Sequence, residues 1–106
     1  MFDKMLGDME ERQKEMKTKL SSIIIKEKGE NGKVIVEINA NREITNITID
    51  PSLFTQGDAE QLEDILLITL NRALQKAADK EMEEGQNLVK NMLPGGLGGL
   101  SNLFGS

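Results

Sequence analysis

Ile47-Thr48-Ile49-Asp50-Pro51-Ser52-Leu53-Phe54, followed by Leu62-Glu63-Asp64-Ile65-Leu66-Leu67-Ile68, is the stretch whose reading decides the fold. Ile47 and Ile49 share one strand face with Thr45, and Asp50-Pro51-Ser52 ends that strand because proline cannot donate to a sheet ladder. Asp50 then reads as a cap and Pro51 as the first position of a single helical turn ending near Phe54. Gly57 breaks the chain again, and Asp58 with Gln61 three residues on resembles a capping box for a long helix, Ala59 to Met92. Helix starts favour aspartate on their own account, so neither Asp50 nor Asp58 needs an acid or base role.

That long helix is unusually apolar in its first half. At 100° per residue, Leu62, Ile65, Leu66, Leu70, Ala73, Leu74 and Ala77 fall on one broad face, with Leu67 and Ile68 outside it on opposite flanks. An ordinary surface helix keeps its outward side polar. The few short strands of this chain cannot cover so much, and a second copy is the most economical cover. Leu62, Ile65, Leu66, Leu67, Ile68, Leu70 and Leu74 are therefore the expected dimer interface. Burying Leu67 and Ile68 is worth roughly 1.5–3 kcal/mol each, and a homodimer gains it twice. The second half, Asp79 to Asn87, is nearly all polar, with one apolar lane of Leu74, Ala78, Met82, Gly85, Val89 and Met92.

Upstream, residues 3–20 read as an amphipathic helix. Phe2, Leu6, Met9, Met16 and Leu20 step by fours and threes, broken only by Gln13. That narrow seam suits one partner helix, and the Leu74-to-Met92 lane is the expected partner in a two-helix arm. Three strands lie between. Ser22 to Lys28 holds the run Ile23-Ile24-Ile25, and Glu30-Asn31-Gly32 signals a hairpin. Lys33 to Ala40 alternates, with Val34, Val36, Ile38 and Ala40 on one face, and a turn at Asn41-Arg42 leads into Glu43 to Asp50. The fold class is α+β, an α-β-β-β-α subunit with an antiparallel three-stranded meander between long terminal helices. Residues 1–93 form one expected domain. Residues 94–106, Gly/Leu-rich and without regular periodicity, are expected to be a disordered tail.

Composition removes whole classes of chemistry. With neither cysteine nor histidine, thiol nucleophiles, Cys-ligated metals, the commonest general base and the commonest metal ligand are all missing. Adjacent glutamates such as Glu81, Glu83 and Glu84 point in different directions on a helix, so no metal, cofactor or catalytic site is expected. No apolar run reaches the roughly 18–20 residues of a membrane span, and Met1-Phe2-Asp3-Lys4 is not a secretory signal. A soluble cytoplasmic protein is expected.

Gly32-Lys33-Val34-Ile35-Val36-Glu37-Ile38-Asn39, Ile49-Asp50-Pro51-Ser52-Leu53, Leu62-Glu63-Asp64-Ile65 and Leu70-Asn71-Arg72-Ala73, in this order and spacing, closely resemble the YbaB/EbfC family of bacterial nucleoid-associated proteins. The resemblance covers roughly residues 30–80. It implies a homodimer whose helical arms project from a joint core like tweezers. It also implies binding of duplex DNA by those arms, location in the nucleoid, and a part in chromosome organisation or gene regulation without catalysis.

Charge pulls against that implication. The chain carries 13 basic and 18 acidic side chains, net −5, whereas phosphate neutralisation supplies most non-specific affinity for DNA. Residues 58 onward account for most of the deficit, and only the C-terminal half of the first helix is locally positive. There Arg12, Lys14, Lys17 and Lys19 face a single acid, Glu15, and are the candidate phosphate contacts. Asp8 with Arg12, Glu10 with Lys14 and Glu15 with Lys19 have i,i+4 spacing, so on charge alone the surface reads as solvated and self-paired. An adaptor of the same fold, holding a protein partner through residues 94–106 with weak or no DNA binding, is the alternative. DNA binding, if present, is expected to be weak and salt-sensitive.

Overall fold

The computed structural model describes residues 2–55 and 57–92. Helix α1 (Phe2–Ser22) leads into strands β1 (Ile24–Gly29), β2 (Val34–Asn39) and β3 (Ile44–Ile49), then the single turn α2 (Ser52–Thr55) and the long helix α3 (Ala59–Met92). The strands pair antiparallel in the order β1-β2-β3, a simple meander. The expected α-β-β-β-α order therefore holds. Both aspartates cap: Asp50 Oδ1 accepts the Ser52 N–H at 2.8 Å, and Asp58 Oδ1 accepts the Gln61 N–H at 3.1 Å. The Ser52 N–H holds the Asp50 carboxyl below the usual carboxylate range.

Alternation in β2 is read out as burial. Val34, Val36, Ile38 and Ala40 are each 0% exposed. They form the core with Leu53, Ile65, Ala73 and Ala77, and Ile25, Ile49, Leu62, Leu66 and Leu70 are partly buried against it. The β3 face differs from the expected one. Ile47 and Ile49 stand opposite Val36 and Val34, but a register shift at Glu37/Ile38 puts Ile44, not Thr45, opposite Ile38. Thr45 is the extra residue of the bulge, and its hydroxyl donates to the Glu37 carbonyl at 3.2 Å.

The β1–β2 turn is wider than a two-residue Asn-Gly hairpin. Glu30, Asn31 and Gly32 all have positive φ (48°, 56° and 87°), and the Lys33 N–H closes on the Glu30 carbonyl at 3.1 Å.

Helix α3 lies across β1 and β2 and leaves β3 largely uncovered. Two features fix that placement. Gly29 of β1 sits against Thr69, so closely that a Cβ there would stand 2.1 Å from the Thr69 hydroxyl. The hydroxyl is itself satisfied by the Ile65 carbonyl one turn back, at 2.6 Å. Beside this contact the buried carboxylate of Glu27 on β1 pairs with Lys76 and, at 3.9 Å, with Arg72, an i,i+4 couple on α3. With its first half fixed on the sheet, α3 carries its second half into solvent beyond the sheet. The result is a flat, elongated molecule of 62 × 36 × 17 Å. Its radius of gyration is 19.8 Å, against about 13 Å for a compact chain of this length.

Gly29→Ala is expected to destabilise the fold by about 1–3 kcal/mol, the cost of overpacking a close contact, read from the denaturant midpoint. A midpoint within 0.2 M of the parent (roughly experimental error) would show that α3 does not rest on β1 this tightly.

Candidate nucleic-acid interface

The arm is built at the C-terminal end of α1. The turn after β2 is ordered by Asn39, whose side-chain oxygen accepts the N–H groups of Asn41 and Glu43 at 3.0 Å each. Its side-chain N–H₂ donates to Glu43 Oε1 at 3.0 Å, so this buried amide spends both acceptor positions and one of its two donors on its own turn. Asn41 then fastens this turn to α1, donating to the Lys17 carbonyl at 2.8 Å and to the Ser21 hydroxyl at 2.7 Å. The Ala40 N–H donates to the Leu20 and Ile23 carbonyls at 3.1 Å each. These bonds satisfy carbonyls that a helix C-terminus leaves orphaned, and they aim α1 away from the sheet.

Past the sheet, α1 and the second half of α3 run antiparallel. Lys19 Nζ meets Glu84 Oε2 at 2.9 Å, and Lys80, one turn before Glu84, approaches its other oxygen at 3.7 Å. The hydrogen bond from Lys19, with help from Lys80, holds the Glu84 carboxyl below the usual carboxylate range. Arg12, Glu15, Met16 and Lys19 line one wall of the groove between the helices, and Glu84, Asn87, Leu88 and Asn91 line the other.

The helix faces that meet here are not all the expected ones. Leu20 is buried and Met16 half-buried, but Leu6 and Met9 of the same seam are exposed. On α3 the lane facing α1 is that of Glu84 and Leu88, not that of Met82, Gly85 and Val89. The buried stripe Ile65-Thr69-Ala73-Ala77, continued along a rigid helix, arrives at Glu84 and Leu88. The side chains of Phe2 and Met92 lie outside the described ones, as does the segment 94–106.

Arg12, Lys14, Lys17 and Lys19 are all exposed on α1, yet they do not form one patch. Arg12 and Lys19 turn toward the groove, and Lys14 lies about 200° around the helix from Arg12, on the side it shares with Lys17. Lys19 is bound to Glu84 rather than to Glu15, and the expected Glu10–Lys14 pair is not formed. Lys14 and Lys17 have no ion-pair partner among the described residues. Lys4 of α1 and Lys90 of α3 are likewise exposed and without one.

The seven candidate interface residues also divide. Ile65 is buried in the chain's own core, and Leu62, Leu66 and Leu70 are partly packed against it. Only Leu67 (61%), Ile68 (51%) and Leu74 (37%) are exposed. Leu67 and Leu74 lie on the β3 side of α3, where Ile44 and Ile47 are also uncovered. Ile68 lies on the β1 side. Sequence pattern alone missed Ile44 and Ile47 as exposed groups, because it does not say which strand a helix will cover.

A family model described as the YbaB/EbfC DNA-binding family matches residues 1–92. The chain belongs to that family. The match takes in both helices of the arm, well beyond the residues 30–80 that carry the sequence resemblance. Among relatives called nucleoid-associated proteins, one from Flavobacterium johnsoniae is 34% identical over 94% of each chain. One from Acetivibrio thermocellus is 35% identical over 95% of this chain and 81% of its own. One from Chloroflexus aggregans is 31% identical over 94% and 92% respectively. The crystal structure of an uncharacterized protein from Helicobacter pylori shares the fold, with TM-score 0.71 and 23% identity over 82% of this chain and 91% of that one. The family is one of DNA-binding proteins rather than enzymes. No helix among the described residues is long and apolar enough to cross a membrane.

The Lys19–Glu84 bridge makes the arm acid-sensitive in a predictable direction. A carboxyl held below its unfolded value of about 4.3 contributes stability that is present above that pH and lost as pH falls through the folded value. The melting temperature of the parent is expected to fall below about pH 4.3, and Glu84→Gln to flatten part of that fall while lowering stability at pH 7. Parallel pH profiles for the two proteins would remove the bridge from the account.

Proposed function

We propose that this protein binds duplex DNA weakly and without strong sequence preference, as a homodimer in the nucleoid, using the outer face of α1. The observation that carries the reading is the pair Lys14 and Lys17, exposed side by side on α1 and without ion-pair partners among the described residues, in a chain from a DNA-binding family. Such contacts position a protein on the phosphate backbone and carry no base information. Lys19 acts on the arm itself, because its ammonium is committed to Glu84. The net charge of −5 keeps affinity low by adding repulsion over the rest of the surface.

Pairing of two chains multiplies the few available cations, and the apolar face beside β3 supports it. Ile44, Ile47, Leu67 and Leu74 are between 37% and 61% exposed and lie on one side of the molecule. Large apolar groups gathered on one side are what monomers rarely leave open.

With two lysines from each of two subunits on phosphate, the slope of log K against log salt is about −3.6, from ~0.9 per phosphate. Fluorescence anisotropy on labelled duplex between 20 and 150 mM salt (roughly a Debye length of 20 to 8 Å) measures it, and Lys14→Gln with Lys17→Gln is expected to abolish most of it. Absence of binding at the lowest salt refutes the reading.

Leu67→Glu with Ile47→Glu places charge in the proposed interface. Sedimentation is expected to show a monomer with native circular dichroism where the parent sediments as a dimer. A monomeric parent would exclude pairing through this face.

A further inference from the structure

A second apolar strip lies on the arm, on the side of α3 turned away from α1. Met82 is 65% exposed and Val89 48%. Gly85 between them has nothing within 4 Å of where a Cβ would stand, so Met82, Gly85, Gln86 and Val89 border a shallow trough. The trough is not an extension of the face beside β3. Met82 points about 80° away from Leu74 and stands about 12 Å further along the helix, beyond the sheet.

We propose that this trough is the docking site of the chain's own C-terminal segment, residues 94–106. The segment follows directly on α3, and Pro94-Gly95-Gly96 cannot continue the helix and permits a reversal. It carries Leu97, Leu100, Leu103 and Phe104 and no charged residue. Its glycines allow close approach over Gly85. Reach is sufficient, since Met82 to Val89 spans about 10 Å of helix. Leu97 to Leu103 can extend to about 20 Å.

Tethering makes weak apolar contacts effective, because a short flexible linker supplies an effective concentration in the millimolar range. The docked segment covers the most exposed large hydrophobic group of the arm and leaves Lys14 and Lys17 on α1 open. The inference does not depend on DNA binding or on pairing of two chains.

Oxidation of methionine by dilute peroxide, followed by mass spectrometry of the full-length protein, tests it. Met82 and Met9 (65% and 56% exposed) are matched probes on the two arm helices. In the parent, Met82 is expected to oxidise about ten-fold more slowly than Met9, the factor for a segment docked nine-tenths of the time. Leu100→Ser with Leu103→Ser and Phe104→Ser, far from the core, is expected to bring Met82 to the Met9 rate without altering circular dichroism. Equal rates in the parent overturn the proposal. So does protection of Met82 that survives the three substitutions, and its fading on dilution would assign the trough to a second copy instead.

Discussion

The contact of Gly29 with Thr69 governs the rest of this structure. A β-strand and a helix can approach this closely only where the strand offers no side chain and the helix offers a short one whose hydroxyl is already bonded. Ala73 and Ala77 continue the same close approach along α3, both fully buried. Glu27, a buried carboxylate reached by the exposed Arg72 and Lys76, adds an ion-pair cluster at the edge of this contact that holds the helix against sliding. With α3 held on β1 and β2, three consequences follow: β3 is left uncovered, the second half of α3 leaves the sheet, and Glu84 with Leu88 turns toward α1.

The arm rests on polar bonding more than on an apolar seam. Asn39 orders a turn, Asn41 ties that turn to the end of α1, and Lys19 closes on Glu84 one helix away. Met16 and Leu20 add apolar contact at the base, but Leu6 and Met9 nearer the tip gain little from α3. The same arrangement divides the cations, because the bridge that holds the helices together engages the exposed Lys19 ammonium with Glu84.

Much of the fold was legible from local chemistry. Alternation in Val34 to Ala40 specified which face is buried, Asp50-Pro51-Ser52 and Asp58 marked two helix starts, and the order of elements followed. These signals act within a few residues, where sterics, capping and side-chain period leave little choice. The β3 bulge was not legible, because Glu43-Ile44-Thr45 suits either register and the pairing with β2 decides. Nor was the orientation of the distal half of α3. The apolar spacing marked the lane through Met82, whereas the lane through Leu88 carries the charged Glu84, and only the placement of α3 on the sheet decides which of them meets α1.

The sequence by itself determined the elements, the buried face of the sheet, the absence of thiol and imidazole chemistry, and a family whose members bind DNA. Only the tertiary structure decided that α3 covers β1 and β2 rather than β3, that Lys19 serves the arm while Lys14 and Lys17 remain open, and that Ile44, Ile47, Leu67 and Leu74 are left bare together. The physical reason is one of range. Capping and alternation are settled between neighbours in sequence, whereas exposure and ion pairing depend on where a rigid helix is fixed many residues away.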